Sequence, residues 1–430
     1  MDPSYRCLRQ NIRRNLNMGI ASTSSINFTV PFFPVIAARF GATNTDYALL
    51  NSIPALLTIL STLPASAIIA RFRKQKRIAA CIMLASRLCF PLMALLPIFS
   101  GSQVKLLILL VGLYTAANTI STVSWQAIMG ELIPLQYRNK VFAQRNVYSS
   151  FVGMGIVLIA GWYIDHYSFP VGYQTAFILG TACGLIECFY FIKLYVPSEN
   201  AGSSCMDEPA VLSGNPRRAT ASERLKAFAR TFQFQAGSDF YLFCAAAVIF
   251  SFTWMMAWPV FTKVKVDMLH ATNSQISIDT VAAAIGSLLG FRFWLRIADR
   301  KGNALTLFLS ALGIACNPLM WIFASSMKAV YIADLLGAFV TAGFTQSLFN
   351  RQLELLPPPS RQKAIAFYTT LSQMAAVVAP IFGMKLYEWI DLDAMLVVSS
   401  IARTFGALTL LIILLPVVQR FLTRKKNLSA

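Results

Sequence analysis

Glu131-Leu132-Ile133-Pro134, followed by Arg138-Asn139-Lys140 and Ala143, reads a second time as Glu354-Leu355-Leu356-Pro357, followed by Arg361-Gln362-Lys363 and Ala366, at an offset of 223. Outward from this pair, Cys89-Phe90-Pro91-Leu92-Met93 recurs as Cys316-Asn317-Pro318-Leu319-Met320 at an offset of 227. Further out, Ala42-Thr43-Asn44-Thr45 recurs as Ala271-Thr272-Asn273-Ser274 at 229, and Arg71 recurs as Arg300 at the same offset. The offset shrinks steadily along the chain, as differences in loop length would make it. The two halves are copies of one unit.

Composition says what that unit is. Of 430 residues, 56% are apolar and 13% charged, against about 25% charge in soluble domains. Apolar stretches of about 20 residues, long enough to cross a bilayer's hydrocarbon core, recur from end to end. They fall at 16–40, 46–70, 78–98, 104–129, 142–164, 172–196, 239–262, 274–298, 304–324, 329–350, 364–388 and 393–418. The expected fold is an all-α polytopic membrane protein with twelve transmembrane helices in two pseudo-symmetric six-helix bundles, 1–196 and 239–430. A membrane barrel is excluded, because its spans would be about 10 residues of alternating polarity. The polar stretch 197–238 forms a central loop. In it, Thr220-Ala221-Ser222-Glu223 has the form of a capping box ahead of Leu225, Phe228 and Phe232, which fits either a basic amphipathic helix on the inner leaflet or a solvated linker.

The net charge of +19 would point to nucleic acid in a soluble protein, so the placement of the charges has to decide. With the N-terminus inside, 28 of the 37 basic residues fall on inner segments, six outside and three (Arg87, Arg292, Arg403) within spans. The positive-inside rule accounts for that asymmetry and puts both termini in the cytoplasm, in a cell membrane. No nucleic-acid partner is implied. The basic flank and long apolar run at the start lack a small-residue cleavage pattern, so the first span is expected to be retained. All eight cysteines fall within spans or on inner segments, which predicts reduced thiols. His166 and His270 are the only histidines, and no Cys/His spacing suits a metal.

Two six-span repeats around a basic loop resemble the major facilitator superfamily over the whole chain. The superfamily's turn after the eighth span, approximately Gly-x-x-x-Asp-Arg-x-Gly-Arg-Lys/Arg, is matched by Asp299-Arg300-Lys301-Gly302, with Leu295 and Asn303 departing from it. After the second span only Arg71 and Lys74 remain, with Ser66, Ala70 and Arg73 in place of Gly, Asp and Gly. The resemblance implies that these turns latch the bundles on the cytoplasmic side, and that Glu131/Arg138 and Glu354/Arg361 share that role. It also implies that spans one, four, seven and ten line a central cavity.

An ionisable group inside the bilayer is a functional-site hypothesis by default. Arg87 and Glu187 sit at nearly equal depth in spans three and six, so an ion pair is the preferred reading; a proton relay through Glu187 and an anion contact at Arg87 are the alternatives. Asp334 in span ten is the first candidate for a coupling carboxylate and Glu187 the second; the other reading makes Asp334 a partner for Arg403 or Lys328. Arg292 is close enough to the boundary to snorkel. Asn27 in span one, Tyr114 and Asn118 in span four, and Trp254 and Trp258 one turn apart in span seven are candidates for the cavity wall. Trp125 and Trp258 also suit interface anchors, and Gly153, Gly155 and Gly161 in span five suit close helix packing.

No Lys-Ser/Thr phosphate loop and no catalytic triad spacing occur. No cofactor is expected, and an enzyme is not. The resemblance implies secondary active transport of a small organic solute by alternating access, with protons as the coupling ion, by a monomer embedded in the bilayer. Proton-driven export of amphipathic compounds, and a non-transporting sensor or scaffold, are the alternatives left open.

Overall fold

In a computed structural model of the protein, residues 3–70, 75–99, 101–195, 238–356 and 361–428 are described, with side chains left aside at 3–7, 62–70, 75, 131, 135, 139, 238, 361–363 and 412–428. Arg71, Lys74 and the 220–232 segment lie outside the described residues. The described chain is twelve membrane-length helical units: Asn44–Ala70, Gln75–Ala94, Gln103–Leu132, Leu135–His166, Val171–Ile192, Asn273–Lys301, Asn303–Ile322, Met327–Glu354, Arg361–Trp389, Leu392–Leu428 and two broken ones. Several helices run well past the apolar stretches; span five starts at Leu135, not 142. Hydropathy marks only the part in hydrocarbon, whereas helix hydrogen bonding carries on into polar turns.

The two broken units are the first of each half. Span one is Pro3–Asn27, a 3-10 turn Val30–Phe32 and Phe33–Arg39; span seven is Ser238–Met255, Trp258–Lys263 and a π-helical turn Val264–Met268. The sequence reading took each as one continuous helix. Pro31 and Pro34 in one and Pro259 in the other explain the breaks: proline lacks the N–H that a continuing helix needs and crowds the preceding turn. Broken spanning helices are tolerated where they line a cavity or are buried in protein.

The repeated Ala-Thr-Asn-Thr/Ser is a helix start. In span two Asp46 accepts from the Thr43 backbone at 2.8 Å while the Thr43 hydroxyl accepts from the Asp46 backbone at 3.3 Å. At span eight Thr272 and Gln275 make the same reciprocal pair at 3.0 and 3.2 Å. Each box satisfies donors that the first helical turn leaves unpaired.

Among the described residues, the contacts that join the bundles lie on one side. Called distal here, that side lies opposite the termini. One buried apolar cluster there joins Phe32, Phe90, Tyr114 and Phe177 of the first half to Val264, Ile276 and Trp321 of the second. A second joins Tyr47 and Ala48 to Met256, Val260 and Ala379. On the terminal side the clusters are separate: Met18, Met83, Met129 and Phe191 pack within the first half, Phe240, Phe250, Leu307 and Tyr368 within the second. Every described hydrogen bond between the halves is distal. Asp165, at the end of span five, accepts from the Asn273 backbone (2.9 Å), the Asn273 amide (2.8 Å) and the Ser274 backbone (2.7 Å) at the start of span eight. A carboxylate at a helix N-terminus is favoured by the orphan N–H groups and the helix dipole. Tyr173 donates to Asn273 Oδ1 at 2.8 Å, and Tyr47 donates to Asp267 at 2.6 Å. Gly161 is what lets spans five and eight approach: a Cβ there would lie 2.5 Å from the Asn273 carbonyl oxygen. Gly153 admits Thr23 and Asn27 of span one in the same way, while Gly155 faces open space.

Candidate functional site

Charged side chains inside the bundles fall into four groups. In the first bundle, Arg87 pairs with Glu187, Nη2 to Oε2 at 2.7 Å and Nε to Oε2 at 2.9 Å, and both side chains are buried. Arg87 also donates to Ser22 at 3.3 Å and lies over the rings of Phe90 and Tyr114. Tyr114 therefore sits in the core of the first bundle beside the ion pair, and not on the cavity wall where the sequence reading put it. Gly184 makes room for the arginine stem, since a Cβ there would be 2.6 Å from Arg87 Cγ.

Near the distal end of the second bundle, Lys265 bonds both Asp279 (2.6 Å) and Asp334 (2.5 Å) and lies 5.4 Å from the Trp321 ring. Asp334 thus pairs with Lys265, and with neither Arg403 nor Lys328. Lys265 rides on the π turn that ends span seven, a helix irregularity of the kind often found at functional sites. The buried Asp279 Oδ1 has no hydrogen-bond donor. Among the described residues, the two carboxyls share one ammonium.

Arg403 is fully buried and has no carboxylate partner among the described residues. Its guanidinium donates to the Trp254 carbonyl at 3.0 Å and the Ile314 carbonyl at 3.2 Å. Both acceptors are carbonyls that their own helices leave free. Span seven stops at Met255, which frees the Trp254 carbonyl, and Pro318 supplies no N–H to the carbonyl four residues before it, Ile314. Trp254 and Trp258 meet edge to face at 5.4 Å beside that break, and Trp254 packs on Phe250 and Phe344. The pair therefore faces partly into its own bundle.

The fourth group was missed in the sequence. Arg145 lies in span five, with its guanidinium 4.2 Å over the Trp125 ring of span four; Trp125 in turn donates to Asn15 of span one at 3.1 Å. By position Arg145 follows Arg138 and Lys140 and reads as one more basic residue at the inner end of span five. The signal that distinguishes it is Gly19: a Cβ there would be 2.5 Å from Arg145 Nε. Asn27, one helical face further along, donates to its own helix at Thr23, and Asn118, half-buried in span four, accepts at its backbone from Thr122. Neither is brought to Asp334, which lies at the distal end of the other bundle.

At the terminal turns, Gly302 takes φ +85° between spans eight and nine, and its N–H caps the Ala298 carbonyl. Asp299 and Arg300 are exposed. Glu354 bonds Arg351 (2.9 Å) and Asn303 (2.5 Å), and Arg138 donates to the Gly130 and Ile133 carbonyls closing span four. The side chains of Glu131 and Arg361 lie outside the described residues. Arg292 is exposed, on the outside of its helix.

The model of the Major Facilitator Superfamily matches residues 17–230 and 243–429. The chain belongs to that superfamily. It is a multi-pass membrane transporter with twelve helices in the superfamily's fold. Among solved structures it is similar to the nucleoside transporter NupG (TM-score 0.66, 11% identity, 95% of this chain and 99% of that one). It is also similar to the xylose transporter XylE from E. coli in an inward-open conformation (0.64, 14%, 95% and 95%). A third is a bacterial homologue of the human lysosomal transporter Spinster, inward-facing and unoccupied (0.61, 13%, 96% and 96%). Likeness at this identity speaks for the fold alone. None of the curated proteins compared with the chain matches it.

Proposed function

We propose that this superfamily member is a secondary active transporter that moves a small organic solute by alternating access, coupled to protons at the Lys265–Asp279–Asp334 cluster. The observation that carries the coupling is the charge count in that cluster: two carboxylates on one lysine leave one negative charge, which a single proton neutralises. The ammonium is the switch partner. A proton arriving on Asp334 releases Lys265 to Asp279 alone and loosens the tie between the end of span seven and span ten. The basic residues gathered on the terminal side support cytoplasmic termini in a cell membrane. On that orientation the distal contacts close the outer face, and the conformation is inward-facing.

The test begins with a thermal-shift panel of sugars, organic anions, amino acids, nucleosides and amphipathic cations, in which a ligand at 100 times its Kd adds about 2.7 kcal/mol. With the hit loaded into proteoliposomes, Asp334→Asn is expected to abolish accumulation driven by a pH gradient and to spare solute exchange. Wild-type accumulation by Asp334→Asn would remove Asp334 from the coupling step.

A further inference from the structure

Arg145 is a permanent cation with no acceptor among the described residues. It makes no hydrogen bond and no ion pair among the described residues, although it is half-buried between spans one, four and five. Glu187, the carboxylate whose field reaches it, is committed to Arg87 at 2.7 Å. Stacking on Trp125 holds the guanidinium plane in place without using any of its N–H groups. Its Nε is enclosed and unpaired.

The surroundings are built in the same sense. Trp125 Nε1 can only donate, so the Asn15 atom that receives it is the carbonyl oxygen, and the Asn15 amide NH2 is left over. That Nδ2 is buried without a partner. The hydroxyl of Ser149, one turn beyond Arg145 on the same helix, is buried without a partner as well. Buried donors are ordinarily satisfied. Here three of them collect on one face of one bundle around a charge that has no counter-ion, and Gly19 gives up a side chain to make the space.

The site lies toward the terminal side. Arg145 is ten residues from the start of its helix at Leu135, about 15 Å by helix rise. Among the described residues, no cluster and no hydrogen bond joins the two bundles on that side.

We infer that Arg145, stacked on Trp125 beside Asn15, receives the anionic group of the transported solute, so that the substrate class is an organic anion: a carboxylate, sulfonate or phosphate ester. The guanidinium fork offers two parallel N–H groups to such an oxyanion. This rests on the transporter reading, but not on proton coupling.

The test is binding in detergent with no gradient, using matched pairs: 2-naphthoate and 2-naphthamide, naphthalene-2-sulfonate and its sulfonamide, phenyl phosphate and phenol. In the wild type at least one anion is expected to raise the melting temperature at a concentration tenfold or more below that needed for its neutral partner, and this preference should weaken as chloride is raised. Arg145→Gln should lose the preference, Arg145→Lys should retain part of it, and Asp334→Asn should retain all of it. No anion preference in the wild type for any pair overturns the inference without recourse to a variant. An unchanged preference in Arg145→Gln overturns it too, by locating the anion elsewhere. A shift produced by phosphatidylglycerol and by none of the soluble anions would assign the guanidinium to a lipid headgroup and overturn the substrate reading. Loss of pH-driven transport in Asp334→Asn with anion binding intact would leave the two proposals separately decided.

Discussion

At the scale of single residues, three interior arginines of this protein are handled in three different ways. Arg87 is neutralised by Glu187, Arg403 is solvated by backbone carbonyls, and Arg145 is stacked and left without an acceptor. The first is a buried pair whose desolvation is repaid only while both members are present. Glu187→Gln is therefore expected to destabilise by about 3–5 kcal/mol, since it strands the Arg87 charge. The double change with Arg87→Gln should recover a substantial part of that loss. Thermal or SDS denaturation of the four species gives the coupling energy; strictly additive losses would show that the pair acts as two independent side chains.

At the scale of elements, the notable feature is that broken helices and interior cations go together. Pro318 and the end of the first segment of span seven each release a carbonyl, and one planar guanidinium reaches both. This is why the sequence pointed to Asp334 as a partner for Arg403 and not to its actual acceptors: these are backbone atoms, left free by the end of one helix segment and by a proline inside another. Lysine cannot reproduce the fork, because its ammonium is a point charge on a flexible stem. Arg403→Lys is expected to cost about 1–3 kcal/mol through the carbonyl left unpaired. A melting temperature equal to that of the wild type would show that one carbonyl contact suffices.

At the scale of the whole molecule, the described contacts that join the two bundles are distal. Asp165 supplies three of the hydrogen bonds, and Gly161 supplies the close approach. Removing the carboxylate that caps span eight is expected to cost about 1 kcal/mol of closure, enough to shift a balanced equilibrium about fivefold toward distal opening. Asp165→Ala should then raise the labelling of a cysteine placed by Ser277→Cys with a membrane-impermeant maleimide added from the distal side. Gly161→Leu should raise it further, since the side chain has no room. Labelling that stays at the background level in both would mean that the apolar clusters alone hold the distal side shut.

The sequence by itself determined the number of spans, the two-fold repeat, the family and the coarse depth of Arg87, Glu187, Asp334 and Arg403. Those are set by local quantities: twenty-residue apolar runs, the placement of lysine and arginine, and capping boxes such as Thr43/Asp46 and Thr272/Gln275 that act within four residues of themselves. What only the tertiary structure decided is which charge meets which. Asp334 and Lys265 are 69 residues apart, Asp279 joins them from a third helix, and Tyr114 turns from the cavity toward Arg87. Helical depth can be counted from rise per residue, but the rotation of a helix about its axis is fixed by packing against its neighbours. Breaks in spans one and seven change that rotation partway along. The Arg145 site shows the same limit: its arginine, tryptophan and asparagine come from three spans, and only their common face reveals a cation without a counter-ion.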